Sequence, residues 1–275
     1  MQPDGGLVGR TGMRIMTGIL CVLLLAACSN GADGAEAGAT AQPAATTARA
    51  APSPTDRLCG DPELNDKQVS FAGQAGAYLA GYVLGSGSVT LVLAAQASAT
   101  GCSWLAWAKQ QAAAGYRVLA FDFNSEGRSQ RADTGKLSGD VSAAIAYARA
   151  KGGRDVVLIG ASRGATATLI AASRLEPPAT AVISLSGPGD YAGESALESV
   201  PKLTAPVLYV AATGDSAFAS AAQQMYAATP GEKRTLAIVP GQLHGTGLLT
   251  VTADGADQAA KAVGDFLKSA APPKP

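Results

Sequence analysis

Continuously apolar runs that recur between helix-like segments constrain the fold of this chain most. These runs occupy positions 89–95, 117–123, 155–160, 180–186, 206–212 and 235–240. Their centres are apolar without a break, which is typical of strands buried on both faces of a sheet. Strands that alternate with helices require right-handed crossovers and produce a mostly parallel sheet. The sequence therefore predicts an α/β fold, in which a doubly wound, mostly parallel sheet carries helices on both faces.

Two further features refine that architecture. Segments 67–73 and 77–85 precede the parallel strands and are predicted to form an antiparallel pair at the sheet edge. The connection between 180–186 and 206–212 has only about 20 residues, which is short for a helical cap. We therefore expect no large cap domain and an open site.

Residues 1–27 are predicted to be a signal peptide. Arg10 and Arg14 precede an apolar run that ends at Cys28, and this run is too short to span a bilayer comfortably. The letters LAA before Cys28 resemble the processing box of bacterial lipoproteins, in which the cysteine becomes the lipidated first residue. We therefore expect an extracytoplasmic protein, anchored to the cell membrane by acyl chains on Cys28. A plain secretion signal is the alternative.

Composition sets the remaining domain boundaries. Residues 28–55 consist mainly of Ala, Gly, Thr, Pro and Ser. They cannot bury enough apolar surface to offset the entropy of ordering, so they are predicted to be a lipidated, flexible tether. A globular domain is predicted over 56–270 and a loose tail over 271–275.

The cysteines are consistent with export. Cys21 lies in the predicted signal peptide and Cys28 would carry lipid, which leaves Cys59 and Cys102 as an even pair in an oxidising compartment. We predict a disulfide between them. Two buried free thiols are the alternative.

Charge and motifs exclude several classes of function. The 21 basic and 21 acidic residues cancel and form no run of like charge, so nothing favours nucleic acid as a partner. One histidine and no paired-cysteine pattern argue against zinc. The glycine-rich cradles of nucleotide-binding proteins are missing from the sequence. We therefore expect no metal and no cofactor.

Ser162 is the candidate nucleophile. It lies in GASRG (160–164) between an apolar run and a helix-like segment, the pattern of a nucleophile elbow. Such a turn projects the serine hydroxyl, and Gly160 and Gly164 allow the neighbouring backbone to pass closely. The N–H groups of the following helix favour developing negative charge.

A base and an acid follow later strands. His244, the only histidine, comes after the last apolar run, where a neutral imidazole could take the serine proton. Asp215 follows the run before it and is predicted to orient the imidazole. Asp190 is the competing acid. The alternative for Asp215 is that it caps the helix that follows it.

The order Ser162, Asp215, His244, together with GYRVLAFDFNSEGRS (115–129), resembles the α/β-hydrolase family, and within it the dienelactone-hydrolase-like and small serine esterase branch. The resemblance implies that two backbone N–H groups stabilise the oxyanion, those of Arg163 and of Gln96 or Ala97. Two positions depart from the family pattern. Ala95 stands where a histidine is usual, and the loop contains Glu126.

The implied function is hydrolysis of a carboxylic ester through an acyl-enzyme, outside the cytoplasm. The partners would be a small-molecule ester or acyl substrate and, through the lipid anchor, the membrane, while the oligomeric state is left open. A non-catalytic surface binding lipoprotein on a hydrolase scaffold and an acyltransferase are the alternatives.

Overall fold

A computed structural model describes residues 58–132 and 135–273. The expectations for the signal peptide 1–27, the tether 28–55 and lipidation at Cys28 lie outside the described residues. Within the described ranges, no helix has both the length and the apolar character needed to cross a membrane.

The secondary structure alternates as the sequence predicts. The strands are β1 (Gln68–Ala72), β2 (Tyr78–Leu84), β3 (Val89–Ala94), β4 (Arg117–Phe121), β5 (Asp155–Ala161), β6 (Ala181–Leu185), β7 (Asp190–Tyr191), β8 (Glu194–Ser195), β9 (Val207–Ala212) and β10 (Arg234–Val239). The helices are α1 (Leu105–Ala113), α2 (Leu137–Ala150), α3 (Arg163–Ala172), α4 (Ser216–Ala228), α5 (Gly247–Thr250) and α6 (Ala256–Ala270). Short 3₁₀ turns occupy Leu58–Gly60, Pro62–Leu64, Gln74–Gly76, Gly101–Trp104 and Val200–Lys202.

Eight strands form one sheet in the order β1-β2-β4-β3-β5-β6-β9-β10. Pairing is antiparallel at β1/β2 and β2/β4 and parallel elsewhere in this sheet. The predicted mostly parallel sheet with an antiparallel edge is therefore confirmed.

Two apolar layers flank the sheet, because successive side chains of a strand point to opposite faces. One layer packs the sheet against α2, α3 and α4, and the other packs it against α1, α5 and α6. Strand β3 contributes Val92 to the first layer and Leu91 and Leu93 to the second. Burial on both faces explains why β3, β5, β6 and β9 are largely apolar. The expectation of burial on both faces is wrong for β10, because this edge strand is only partly buried.

The connection from β6 to β9 holds a small hairpin, β7–β8, rather than a cap domain. The hairpin is fixed to the start of α2, where the buried carboxylate of Glu194 accepts hydrogen bonds from the backbone N–H and the hydroxyl of Ser138. A carboxylate at a helix N-terminus is favoured by the helix dipole. Strands of two residues have no sequence period, which is why the hairpin was not predicted.

The first residue of the expected tail is packed. Ala271 is buried, and the Tyr116 hydroxyl donates a hydrogen bond to its carbonyl at 3.1 Å. The packed part of the chain therefore extends beyond the end of α6.

The predicted disulfide between Cys59 and Cys102 is confirmed, with an S–S distance of 1.98 Å. It joins the start of the described domain to the 3₁₀ turn that follows β3. The bond therefore tethers the loop that leaves a central strand.

Removing this crosslink should destabilise the domain. The bond closes a loop across a sequence separation of 43, so the double variant Cys59→Ser/Cys102→Ser is expected to lose about 4 kcal/mol of unfolding free energy through chain entropy. Denaturant unfolding of oxidised, reduced and variant protein measures this. Reduced wild type should match the variant, and equal stability of all three would contradict the role of the crosslink.

Candidate active site

The chemistry-bearing residues lie at the carboxyl edge of the sheet. Gln96 follows β3, Ser162 follows β5, Asp215 follows β9 and His244 follows β10. Loops at this edge of an open α/β sheet are where ligands bind. Because β3 and β5 are adjacent strands, Gln96 and Ser162 leave the middle of the sheet side by side.

Ser162 lies on a strained turn between β5 and α3. Its φ and ψ angles are 52° and −124°, and a positive φ at a non-glycine residue costs about 1–3 kcal/mol. The turn is held because the Ser162 N–H donates to the Leu185 carbonyl at 2.8 Å, while the Ser162 carbonyl accepts from the Ala165 N–H at 2.8 Å. Strain of this kind is expected where a side chain must project from the surface.

Close backbone contact explains both glycines of the turn. A Cβ on Gly164 would lie 2.5 Å from the Ala94 carbonyl oxygen and 2.6 Å from that of Ala95. A Cβ on Gly160 would lie 2.5 Å from the Ala165 nitrogen. The start of α3 is thus pressed against the end of β3, next to the loop that contains Gln96.

His244 and Asp215 form a hydrogen-bonded pair. The imidazole Nδ1 lies 2.7 Å from Asp215 Oδ2, with the His244 side chain 33% exposed and the Asp215 side chain 13% exposed. Asp215 also occupies the N-cap position of α4, but its side chain makes no capping bond there. The competing acid, Asp190, is exposed in the β7–β8 hairpin.

The loop that carries His244 has to cross the sheet edge. Strand β10 lies three positions from β5, which is about 14 Å at the usual spacing between strands. The loop nevertheless reaches the serine turn, since a Cβ on Gly245 would lie 3.5 Å from Ala161 Cβ. Among the described residues no hydrogen bond joins the Ser162 hydroxyl to the imidazole. His244 is therefore bonded directly to Asp215. Its loop approaches Ser162 through the contact between Gly245 and Ala161.

Among the aromatic side chains, Phe218 contacts His244, whereas two tryptophans pack in the core. The Phe218 ring packs against the His244 imidazole, with centroids 4.4 Å apart and planes tilted by 59°. Tyr191 is half-buried in the hairpin. Trp104 and Trp107, in the segment after β3, are 0% and 4% exposed and pack in the core.

Arg163 and Glu126 form an ion pair beside the serine turn. This pair was not evident from the sequence. The buried Arg163 guanidinium contacts the Glu126 carboxylate and lies 5.3 Å from the centre of the Phe123 ring. Glu126 was identified only as a departure from the family pattern. Its partner lies 37 residues away, and a single charge in a loop gives no local signal of a partner at that distance.

The far end of the loop after β3 is anchored on both sides of Gly101. The Gly101 N–H donates to Asp122 Oδ1 at 2.8 Å, and its carbonyl accepts from the Tyr82 hydroxyl at 2.9 Å. Asp122 Oδ2 accepts from the Arg128 N–H at 2.9 Å. Burial raises the pKa of Asp122, and the two backbone hydrogen bonds act against that rise. This carboxyl group connects the loop after β3 with the loop after β4.

No protein-family model and no curated protein matches the sequence. Solved structures do match. A membrane phospholipase A, described as a bacterial virulence factor, superposes with a TM-score of 0.63 at 16% identity over 74% of this chain and 86% of that chain. An esterase from Thermogutta terrifontis gives 0.62 at 13% identity over 74% and 98%. An esterase from Rhodococcus sp. ECU1013 gives 0.62 at 16% identity over 74% and 99%.

These likenesses and the sheet order identify the α/β-hydrolase fold. The predicted fold class is therefore confirmed. The more specific resemblance to dienelactone-hydrolase-like enzymes stays a prediction.

The Arg163–Glu126 pair should stabilise the serine turn. Glu126→Gln removes the counter-charge while keeping the shape, which leaves a buried guanidinium without a charged partner. We expect a loss of about 2 kcal/mol in unfolding free energy, measured by denaturant titration. Glu198→Gln, the same exchange at an exposed position, is the matched control and should change stability little. Equal effects of the two variants would contradict a structural role for the pair.

Proposed function

We propose that the protein is a serine hydrolase that cleaves a carboxylic ester through an acyl-enzyme. The observation that carries the proposal is the 2.7 Å hydrogen bond between His244 and Asp215, made in a loop that packs against the residue before Ser162. In this assignment Ser162 is the nucleophile, His244 is the general base and then the general acid, and Asp215 orients the imidazole.

In the first half of the reaction, the Ser162 oxygen attacks the ester carbonyl carbon while His244 Nε2 takes the hydroxyl proton. Asp215 accepts the Nδ1–H hydrogen bond and stabilises the imidazolium that forms. Breakdown of the tetrahedral intermediate breaks the bond to the alcohol oxygen, which takes the proton back from the imidazolium. The serine–imidazole hydrogen bond that this step needs would form on substrate binding, since such bonds are often long in the free enzyme.

In the second half, His244 removes a proton from water as the water oxygen attacks the acyl carbon. Loss of Ser162 from this second intermediate releases the carboxylic acid and returns the proton to the serine oxygen. The backbone N–H groups of Arg163 and Gln96 are proposed to bind the oxyanion in both intermediates. Arg163 is the first residue of α3, so its N–H has no acceptor within the helix and is available.

Ala95 does not conflict with this assignment. Oxyanion stabilisation uses backbone N–H groups, so the side chain at this position is not part of the chemistry. Ala95 is fully buried and its carbonyl lies against Gly164. Its side chain packs in the layer that contains α1, α5 and α6, so the contact with α3 is made by the backbone carbonyl.

The proposed substrate is a small or surface-presented ester, because the short β6–β9 connection forms a small hairpin and one 3₁₀ turn and no cap domain, and because the imidazole is one-third exposed. We further propose that the enzyme acts outside the cytoplasm as a lipoprotein attached through Cys28. The sequence of residues 1–28 supports this location. Similarity in fold to a membrane phospholipase makes lipid esters a second class to assay.

The serine assignment is tested by a fluorophosphonate probe together with short p-nitrophenyl esters. We expect covalent labelling of the wild type at Ser162, and neither labelling nor turnover in Ser162→Ala. Ser103→Ala, a partly buried serine in the turn after β3, serves as the serine control. A wild-type protein that is folded but neither labelled nor active on short or lipid esters would refute the proposal.

The acid assignment is tested by a matched pair of substitutions. Asp215→Asn should lower kcat by about 10³–10⁴-fold, because an amide cannot stabilise the imidazolium and favours the wrong tautomer. Asp190→Asn should leave kcat close to that of the wild type, since Asp190 is exposed in the hairpin. The reverse ranking, measured with the same ester, would assign the acid to Asp190.

A further inference from the structure

The side chain of Gln96 joins two loops that leave distant strands. Its Oε1 accepts a hydrogen bond from the Thr246 N–H at 2.9 Å and a second from the Thr246 hydroxyl at 3.1 Å, across a sequence separation of 150. Thr246 is buried. One carboxamide oxygen therefore connects the loop after central strand β3 to the loop after edge strand β10.

The contact is tight enough to require glycine between His244 and Thr246. Gly245 has a φ of +57°, and a Cβ there would lie 2.2 Å from Gln96 Oε1. A side chain at this position would have to displace the carboxamide or the loop. The backbone of the histidine loop is thus seated directly on the Gln96 side chain.

The turn that follows His244 is internally bonded, so fixing one residue fixes its neighbours. The His244 carbonyl accepts from the Gly247 N–H at 3.0 Å, and the Thr246 carbonyl accepts from the Leu249 N–H at 3.0 Å. Leu248 is fully buried in the core. A hydrogen bond to Thr246 therefore restrains the main chain of His244 from one side, while Asp215 holds its ring from the other.

We propose that Gln96 is a positioning residue, whose side-chain oxygen sets the distance between the general base and the oxyanion site. This inference rests on the proposed function, in which the backbone N–H of Gln96 is an oxyanion donor. The same residue would then bind the developing charge through its main chain and hold the histidine loop through its side chain. The side chain acts through Thr246 and touches no reacting atom.

Loss of this oxygen should reduce the rate more than binding. Gln96→Met keeps the length and most of the volume of the side chain but removes the acceptor, so the buried Thr246 N–H loses its partner and the histidine loop loosens. We expect kcat on a short ester to fall by roughly 10- to 100-fold with KM changed by less than about twofold, because misplacement of a base affects the chemical step. Gln224→Met makes the same exchange on the exposed face of α4 and should be silent.

Because the chain has one histidine, proton NMR offers a readout that needs no turnover. The Nδ1–H proton of His244, hydrogen-bonded to Asp215, should give one slowly exchanging ring resonance in the wild type. We expect this resonance to broaden or disappear in Gln96→Met. Gln96→Glu keeps an acceptor oxygen at the same place and should restore it, although the added charge opposes an oxyanion, so the spectrum and not the rate is the measure of rescue.

A second route to the same disruption guards against a variant that fails to fold. Gly245→Ala places a methyl group against Gln96 Oε1 and should broaden the His244 resonance while Gln96 itself is unchanged; thermal unfolding checks that each protein is folded. An unchanged resonance and unchanged kcat in Gln96→Met, or a failure of Gln96→Glu to restore the resonance, would overturn the proposal. A wild type without esterase activity whose resonance still depends on Gln96 would refute the proposed function and leave the positioning role supported.

Discussion

The loop after edge strand β10 runs back along the carboxyl edge towards the Ser162 turn in the middle of the sheet, and the arrangement of the candidate site depends on that crossing. Strand β10 is three positions away from β5, so the loop after β10 has to run back along the carboxyl edge. It does so with Asp215 bonded to the imidazole, Gln96 bonded to Thr246, and a glycine where a side chain would collide. These contacts all fall at residues 244–246, where the crossing segment approaches the Ser162 turn.

The opposite side of the site is held by equally specific contacts. Helix α3 starts against the end of β3 because Gly164 has no side chain. The carbonyl oxygens of Ala94 and Ala95 lie where they would collide with a Cβ at that position. The loop after β3 is then fixed at Gly101 by Asp122 and Tyr82, and at Cys102 by the disulfide. The strain at Ser162 is thus sustained by packing on both sides of the turn.

The ion pair between Arg163 and Glu126 lies beside the Ser162 turn, where the carboxylate neutralises the charge of the guanidinium. A buried guanidinium without a counter-charge would be costly next to the serine. Glu126 is one of the positions at which this chain departs from the α/β-hydrolase pattern, and the ion pair gives a physical reason for a carboxylate there. The Glu126 carboxylate is the counter-charge of Arg163, which follows Ser162 in the chain.

Much of this structure was predictable, for identifiable reasons. Strands buried on both faces must be apolar throughout, so β3, β5 and β9 are evident in the sequence, and Ser162, Asp215 and His244 each follow a strand that ends at one edge. The order of residues in the chain could not show that the loop after β10 reaches across the sheet edge to Ala161.

The features that were missed are those without a local signal. Strands of two residues carry no period, so the β7–β8 hairpin could not be recognised. Glu126 is 37 residues from its partner Arg163, and Gln96 is 150 residues from its partner Thr246.

The most direct measurement is a crystal structure of the protein with a phosphonate bound covalently to Ser162. The proposed mechanism requires His244 Nε2 within hydrogen-bonding distance of Ser162 Oγ, Asp215 on Nδ1, and a phosphonyl oxygen facing the N–H groups of Arg163 and Gln96. An adduct on another residue, or one in which the imidazole stays remote from the modified serine, would contradict it.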